Sequence, residues 1–156
     1  MTRRTHAHQS GFTLLELVMV IIIISVLAAI AMPRWSLRDS SVHAQAAQIA
    51  RDIRHVQMLA MTQGRTLTFQ SLGTSYRCVD SGSVVITDPA TQQPFNFTLQ
   101  NGVTLTVGTV NFDSLGRPVS GGSLVSAADI PFTVSGTAQN STLTVTRVTG
   151  FVAVSP

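Results

Sequence analysis

The sequence contains no lysine, a single glutamate and a single cysteine in 156 residues. With Cys78 alone, no intrachain disulfide can form, and the fold has to be held by a hydrophobic core. The absence of lysine leaves ten arginines against seven acids, and the resulting charge of +3 is too small to argue for a nucleic-acid partner by itself. The four histidines are spread out: His6 and His8 near the start, His43 and His55 further along. Neither pair has further donors at metal-ligand spacing, and His6 and His8 read as solvated residues. No nucleophile elbow or phosphate-binding loop occurs either, so the sequence offers no catalytic residue, no cofactor and no metal site. Cys78 has no histidine near it in sequence and reads as a small buried hydrophobe. Asp113, four residues before Arg117, reads as half of a turn ion pair.

Against these absences stands one long apolar run, Phe12 to Met32, FTLLELVMVIIIISVLAAIAM. As a helix it would extend roughly 31 Å, close to the hydrocarbon thickness of a bilayer. The only glutamate of the chain, Glu16, lies inside it. A carboxylate at such a position costs about 2.5–3.5 kcal/mol unless neutralised or paired, which makes it a candidate functional residue by default.

The preceding residues, MTRRTHAHQSG, are polar and basic, which holds them on the cytoplasmic side while the chain beyond the apolar run is exported. Three readings of the junction are open. An ordinary signal peptide would be cut after Ala29-Ile30-Ala31, releasing a β-rich binding domain that begins at Met32. An uncleaved anchor would keep the whole segment. Cleavage after Gly11 would leave the apolar run as the new N-terminus and create a positive α-amine on Phe12. Only that last event gives Glu16 a ready partner: the Phe12 amine of its own chain, or that of a neighbouring copy. Pairing between copies would make Glu16 an assembly register device.

Pro33 lies just past the run and removes a backbone hydrogen bond, which predicts a helix kink there. Helical periodicity then resumes, with Val42, Ala46, Ile49, Ile53, Val56 and Ala60 forming one apolar stripe and Gln63-Gly64 a stop. The expectation is one helix from about Phe12 to about Thr62, its second half packed on the C-terminal part of the chain. Met58 and Met61 read as packing residues, and Trp35 as an interfacial anchor. From Arg65 the period changes to two. Leu67 and Phe69 alternate with threonines, Val84 to Ile86 reads as a short strand, and Phe95 to Leu99, Asn101-Gly102 and Val103 to Val107 read as a β-hairpin. Further strands are expected at Val110 to Phe112, Ile130 to Val134, Leu143 to Val148 and Phe151 to Val154. Turns fall at Gly116-Arg117-Pro118, Gly121-Gly122 and Gln139-Asn140. One face of this antiparallel sheet would bury the helix stripe, an α+β architecture. On the reading that cuts after Gly11, residues 1–11 would be a cytoplasmic leader, 12–32 a transmembrane helix, 33–64 its amphipathic continuation and 65–156 an antiparallel β domain on the periplasmic side.

Gly11-Phe12-Thr13-Leu14-Leu15-Glu16-Leu17, the apolar run and Pro33 together resemble the prepilin signature of type IV pilins and type II secretion pseudopilins. The segments Val110 to Pro118 and Thr144 to Val152 resemble the H-type pseudopilins of type II secretion and the T-type minor pilins, the GspH/FimT family, and also minor pilins of mannose-sensitive haemagglutinin pili. The resemblance implies cleavage between Gly11 and Phe12 by a prepilin peptidase and N-methylation of Phe12. It also implies pairing of Glu16 with an adjacent subunit during assembly. The implied partners are that peptidase, other pilin or pseudopilin subunits, an inner-membrane assembly platform and membrane lipid. DNA binding, known among T-type minor pilins, would need a denser arginine motif near the C-terminus. Here Arg147 stands alone in TRVTGFVAV, and Arg77, Arg117, Arg51 and Arg54 are scattered, which argues against nucleic acid.

Overall fold

The computed structural model describes residues 13–31, 33–124, 128–137 and 139–155, and for residues 29–31 and 33–40 it describes the backbone alone. The chain divides between Ser36 and Leu37 into two compact units. Helix α1 runs from Leu14 to Ala31 and helix α2 from Pro33 to Gln63. Pro33 thus occupies the first position of α2, where a missing N–H costs nothing because that group would have no intrahelical partner. The far end of α2 closes on glycine. Gly64 takes a left-handed φ of 64°, its N–H reaches the Met61 carbonyl at 3.4 Å, and the Arg65 N–H reaches that of Ala60 at 3.2 Å. This is the Schellman arrangement, and it satisfies carbonyls the helix end would otherwise leave open.

Every residue of the stripe read from the sequence, Val42, Ala46, Ile49, Ile53, Val56 and Ala60, is buried, with Ala50 and Leu59 beside them. Each fully buried Val or Ile contributes about 1.5–3 kcal/mol, so this face holds α2 to the strands. Among the described residues those strands form two antiparallel sheets. The first has six strands in the order β3-β2-β1-β5-β6-β7: β1 Leu67–Ser71, β2 Ser75–Val79, β3 Asn96–Thr98, β5 Gly108–Phe112, β6 Pro118–Ser120 and β7 Ser123–Leu124. The second has four in the order β10-β9-β8-β4: β4 Thr104–Leu105, β8 Ile130–Ser135, β9 Asn140–Val145 and β10 Val152–Ser155. Alternation puts Leu67 and Phe69, Val110 and Phe112, Phe132 and Val134, and Leu143 and Val145 into one core with the helix stripe. Phe69 of the first sheet meets Phe132 of the second edge-on at 5.8 Å, tying the two layers together.

The expected hairpin around Asn101-Gly102 does not form. The turn itself is present: Asn101 and Gly102 have φ of 58° and 71°, and the Val103 N–H reaches the Gln100 carbonyl at 3.1 Å. Its two arms, however, enter different sheets, β3 pairing with β2 and β4 with β8. The Gln45 amide on α2 holds this crossing by accepting the Gln100 N–H at 2.9 Å and donating to the Gln100 carbonyl at 3.1 Å. The alternation read for the arms therefore holds only in part. Phe95, Val103 and Leu105 are buried, whereas Phe97 is 38% and Val107 71% exposed. Val84 to Ile86 is likewise not a strand. It contributes to one isolated bridge, Val79 to Val85, with a second from Thr87 to Pro94, because the Asp88 turn bends the chain before a ladder can extend. Met58 and Met61 are half-exposed on α2, and Met61 packs against the turn at Gly116, where a Cβ would lie 2.8 Å from its sulfur.

Candidate assembly interface

Thr13 begins α1. Its carbonyl accepts the Leu17 N–H at 3.2 Å and its Oγ1 accepts the Glu16 N–H at 3.2 Å. Thr13 is therefore the N-cap and Glu16 stands three residues on, the spacing of a capping box. The signal lies in the sequence as Thr-x-x-Glu before an apolar run. The placement also sets the carboxylate in the first turn of α1. Glu16 is exposed, and no cation lies within salt-bridge distance of it among the described residues. Gly11 and Phe12, the expected cleavage and methylation positions, lie outside the described residues, as do the leader histidines. The backbone of Pro33 is described, but the side chain of Trp35 is not.

Beyond Glu16, α1 is apolar on all sides, and its large side chains from Leu14 to Leu27 lie open, from 40% for Val18 to 80% for Leu14. Covering half of that surface is worth on the order of 10 kcal/mol. The one hydroxyl side chain within α1, Ser25, is satisfied in the helix by donating to the Ile21 carbonyl at 2.6 Å, so it needs no water. Among the described residues no helix is long and apolar enough to cross a membrane. The 18 residues of α1 reach ~27 Å, and Phe12 and Met32, which would complete the run, are not among them.

In the second unit, Gln57 joins two turns. Its Nε2 donates to the Gly116 carbonyl at 2.7 Å and to the Thr149 carbonyl at 2.9 Å. The segments Val110 to Pro118 and Thr144 to Val152, distant in sequence, thereby meet on α2. Asp113 organises the first of them. Its Oδ2 accepts from the Arg117 Nε at 2.9 Å and Nη2 at 2.7 Å, while Oδ1 accepts the N–H groups of Leu115 and Arg117 at 2.9 and 2.8 Å. Burial opposes its charge, but the Arg117 side chain and those backbone donors outweigh it and hold the Asp113 carboxyl below the usual range. On α2, Asp52 Oδ2 accepts from Tyr76 Oη at 2.5 Å; burial raises both groups, and the hydrogen bond raises the phenol further. His55 contacts Asp88 Oδ1 at 3.1 Å and stacks on Phe95. His43 contacts the buried Ser141 at 3.1 Å. Cys78 is fully buried, and burial pushes its thiol up to about 12.

The arginines considered as a nucleic-acid surface do not form one patch. Arg77 sits on the outer face of the six-stranded sheet and donates to Gln70 at 2.8 Å. Arg54, on the helix that covers the inner face, donates to the Val152 carbonyl at 2.7 Å and lies 6.0 Å over the Phe151 ring. Arg117 is committed to Asp113.

The prokaryotic N-terminal methylation motif matches residues 6–32, the segment that contains Gly11, Phe12 and Glu16. No curated protein matches the chain. Among solved structures, the type IV minor pilin FimU of Pseudomonas aeruginosa is similar in two crystal forms. One superposes with a TM-score of 0.54 at 16% identity, covering 73% of this chain and 92% of that one. The other gives 0.53 at 15% identity, covering 78% and 90%. At such identities the likeness speaks for the fold. The chain thus joins a prepilin-type N-terminal methylation motif to a domain with the α+β fold of a type IV minor pilin.

Proposed function

We propose that the protein is a non-catalytic structural subunit, a minor pseudopilin or minor pilin, of a type II secretion pseudopilus or a type IV pilus. The observation that carries this reading is α1: a capped helix, apolar on every face, exposed from Leu14 to Ala28 and bearing a carboxylate in its first turn, ahead of a pilin-type domain. The chain enters the inner membrane with residues 1–11 cytoplasmic and the β domain periplasmic. A prepilin peptidase cuts after Gly11 and Phe12 is methylated. The assembly platform then moves the subunit from lipid into the filament, where neighbouring helices cover the open faces of α1. Glu16 sets the register by pairing with the N-terminus of an adjacent subunit.

The capping geometry sharpens the test. Glu16→Gln keeps a capping residue while removing the charge, whereas Glu16→Ala removes both. Both variants should insert and be processed normally, yet fail to incorporate in a crosslinking assay against the filament. If Glu16→Gln incorporates as wild type, Glu16 acts by capping and its register role is refuted.

A further inference from the structure

A cleft of about 340 Å³ opens between α2 and the edge strand β3, within the range of small-ligand sites. Its chemistry is distinctive because no charged side chain lines it among the described residues. The floor is aromatic. Phe97, 38% exposed, stacks on the buried Tyr76 at 5.5 Å and meets Phe95 edge-on at 5.1 Å, and Tyr76 is itself fixed by its hydrogen bond to Asp52. The exposed ring is therefore backed by a rigid stack. The rim is made of side-chain amides from Gln45, Gln48 and Asn101. Gln45 is held by its two bonds to Gln100, which leaves one donor and one acceptor position of its amide unused. Gln48 and Asn101 are exposed. The groove on the outer face of the six-stranded sheet differs in kind: it is about 390 Å³, holds Arg77 and Asp80, and contains no aromatic ring.

We propose that the α2–β3 cleft binds a neutral oligosaccharide, with a sugar ring laid on Phe97 and its hydroxyls read by the amides of Gln48, Asn101 and Gln45. A pyranose ring has an apolar C–H face that suits an exposed aromatic ring, and hydroxyls that both donate and accept, which is what a carboxamide can answer. An anionic ligand would find no cation among the described lining residues. A peptide anchored by large apolar side chains would need deeper pockets than a stacked floor provides. The inference does not depend on filament assembly.

The test is saturation-transfer difference NMR on the full chain in detergent micelles, with cellotriose and triacetylchitotriose as probes. At least one probe should show transfer to its ring C–H protons. Phe97→Ala should weaken binding about tenfold, as expected for loss of an aromatic platform. Because Phe97 also packs on Tyr76 and Phe95, a second variant protects the test. Asn101→Gly removes an amide at a residue of φ 58°, a conformation glycine adopts freely, and should weaken binding with the fold intact. Thr109→Ala, in the outer groove, should leave it unchanged. Absence of transfer from both sugars overturns the proposal. So does binding that survives both cleft variants, or capture of an uncharged peptide by the cleft with no sugar signal.

Discussion

Gly150→Ala isolates the contact that joins the two turn segments. Gly150 has a left-handed φ of 68°, which costs an alanine about 1–2 kcal/mol. Space adds a second cost. A Cβ there would lie 2.6 Å from Gln57 Nε2, 2.8 Å from the Gly116 carbonyl oxygen and 3.0 Å from the Phe112 ring. The first neighbour is a side chain that could move only by giving up its bonds to Gly116 and Thr149, the second is backbone, and the third is a buried core ring. Overpacking of this kind costs ~1–3 kcal/mol. The total is about 2–5 kcal/mol, a large part of the ~5–15 kcal/mol typical of a domain. Gly121→Ala supplies the comparison, since Gly121 has a similar φ of 58° and nothing within 4 Å of its Cβ position. Urea unfolding of the two variants in micelles, tracked by circular dichroism, should therefore place the midpoint of Gly150→Ala below that of Gly121→Ala by roughly 1 M or more. Equal midpoints would refute the claim that these turns are locked together on Gln57.

Asp113 is held below the ordinary carboxylate range, so its contribution is fully present above its unfolded value of ~3.9 and is lost as pH falls through the folded value. Asp113→Asn should be less stable than wild type at neutral pH, and the gap should close in acid unfolding; a gap independent of pH would contradict the ion-pair account. Asp52 has the opposite sign. Its contribution is present at low pH and fades as pH rises through its raised value, so the stability deficit of Asp52→Asn should shrink from acid to neutral pH. Cys78, buried and with its thiol pushed up to about 12, should resist a thiol reagent at pH ~8 in the native chain and react on unfolding. Rapid stoichiometric labelling of the folded protein would show that the thiol is accessible.

The helix stripe and most strand positions are legible in the sequence because period is a direct consequence of one-sided burial. The stripe from Val42 to Ala60 and the alternation at Leu67, Phe69, Val110, Phe112, Phe132 and Leu143 all lie in the core. Sheet membership is not legible. Asn101-Gly102 reports local backbone conformation, and nothing in that dipeptide records that Gln45, distant in sequence, captures the preceding residue and sends the two arms to different layers. Strand β2 is hard to read although Tyr76 and Cys78 alternate with Ser75 and Arg77, because polar and reactive side chains in so short a run give little apolar signal. The capping role of Thr13 is equally easy to overlook: Glu16 draws notice for its charge, and its spacing from Thr13 is a quieter signal. The meeting of the two turn segments on Gln57 needs the fold, since only packing brings residues 116 and 149 to one amide.

The most direct test of the assembly account is the intact mass and N-terminal residue of the protein isolated from its native membrane. A mature chain beginning at methylated Phe12 is the predicted result, because only processing after Gly11 supplies the amine that Glu16 is proposed to meet. A chain beginning at Met32 would have lost α1 and Glu16 altogether, and would contradict the filament reading.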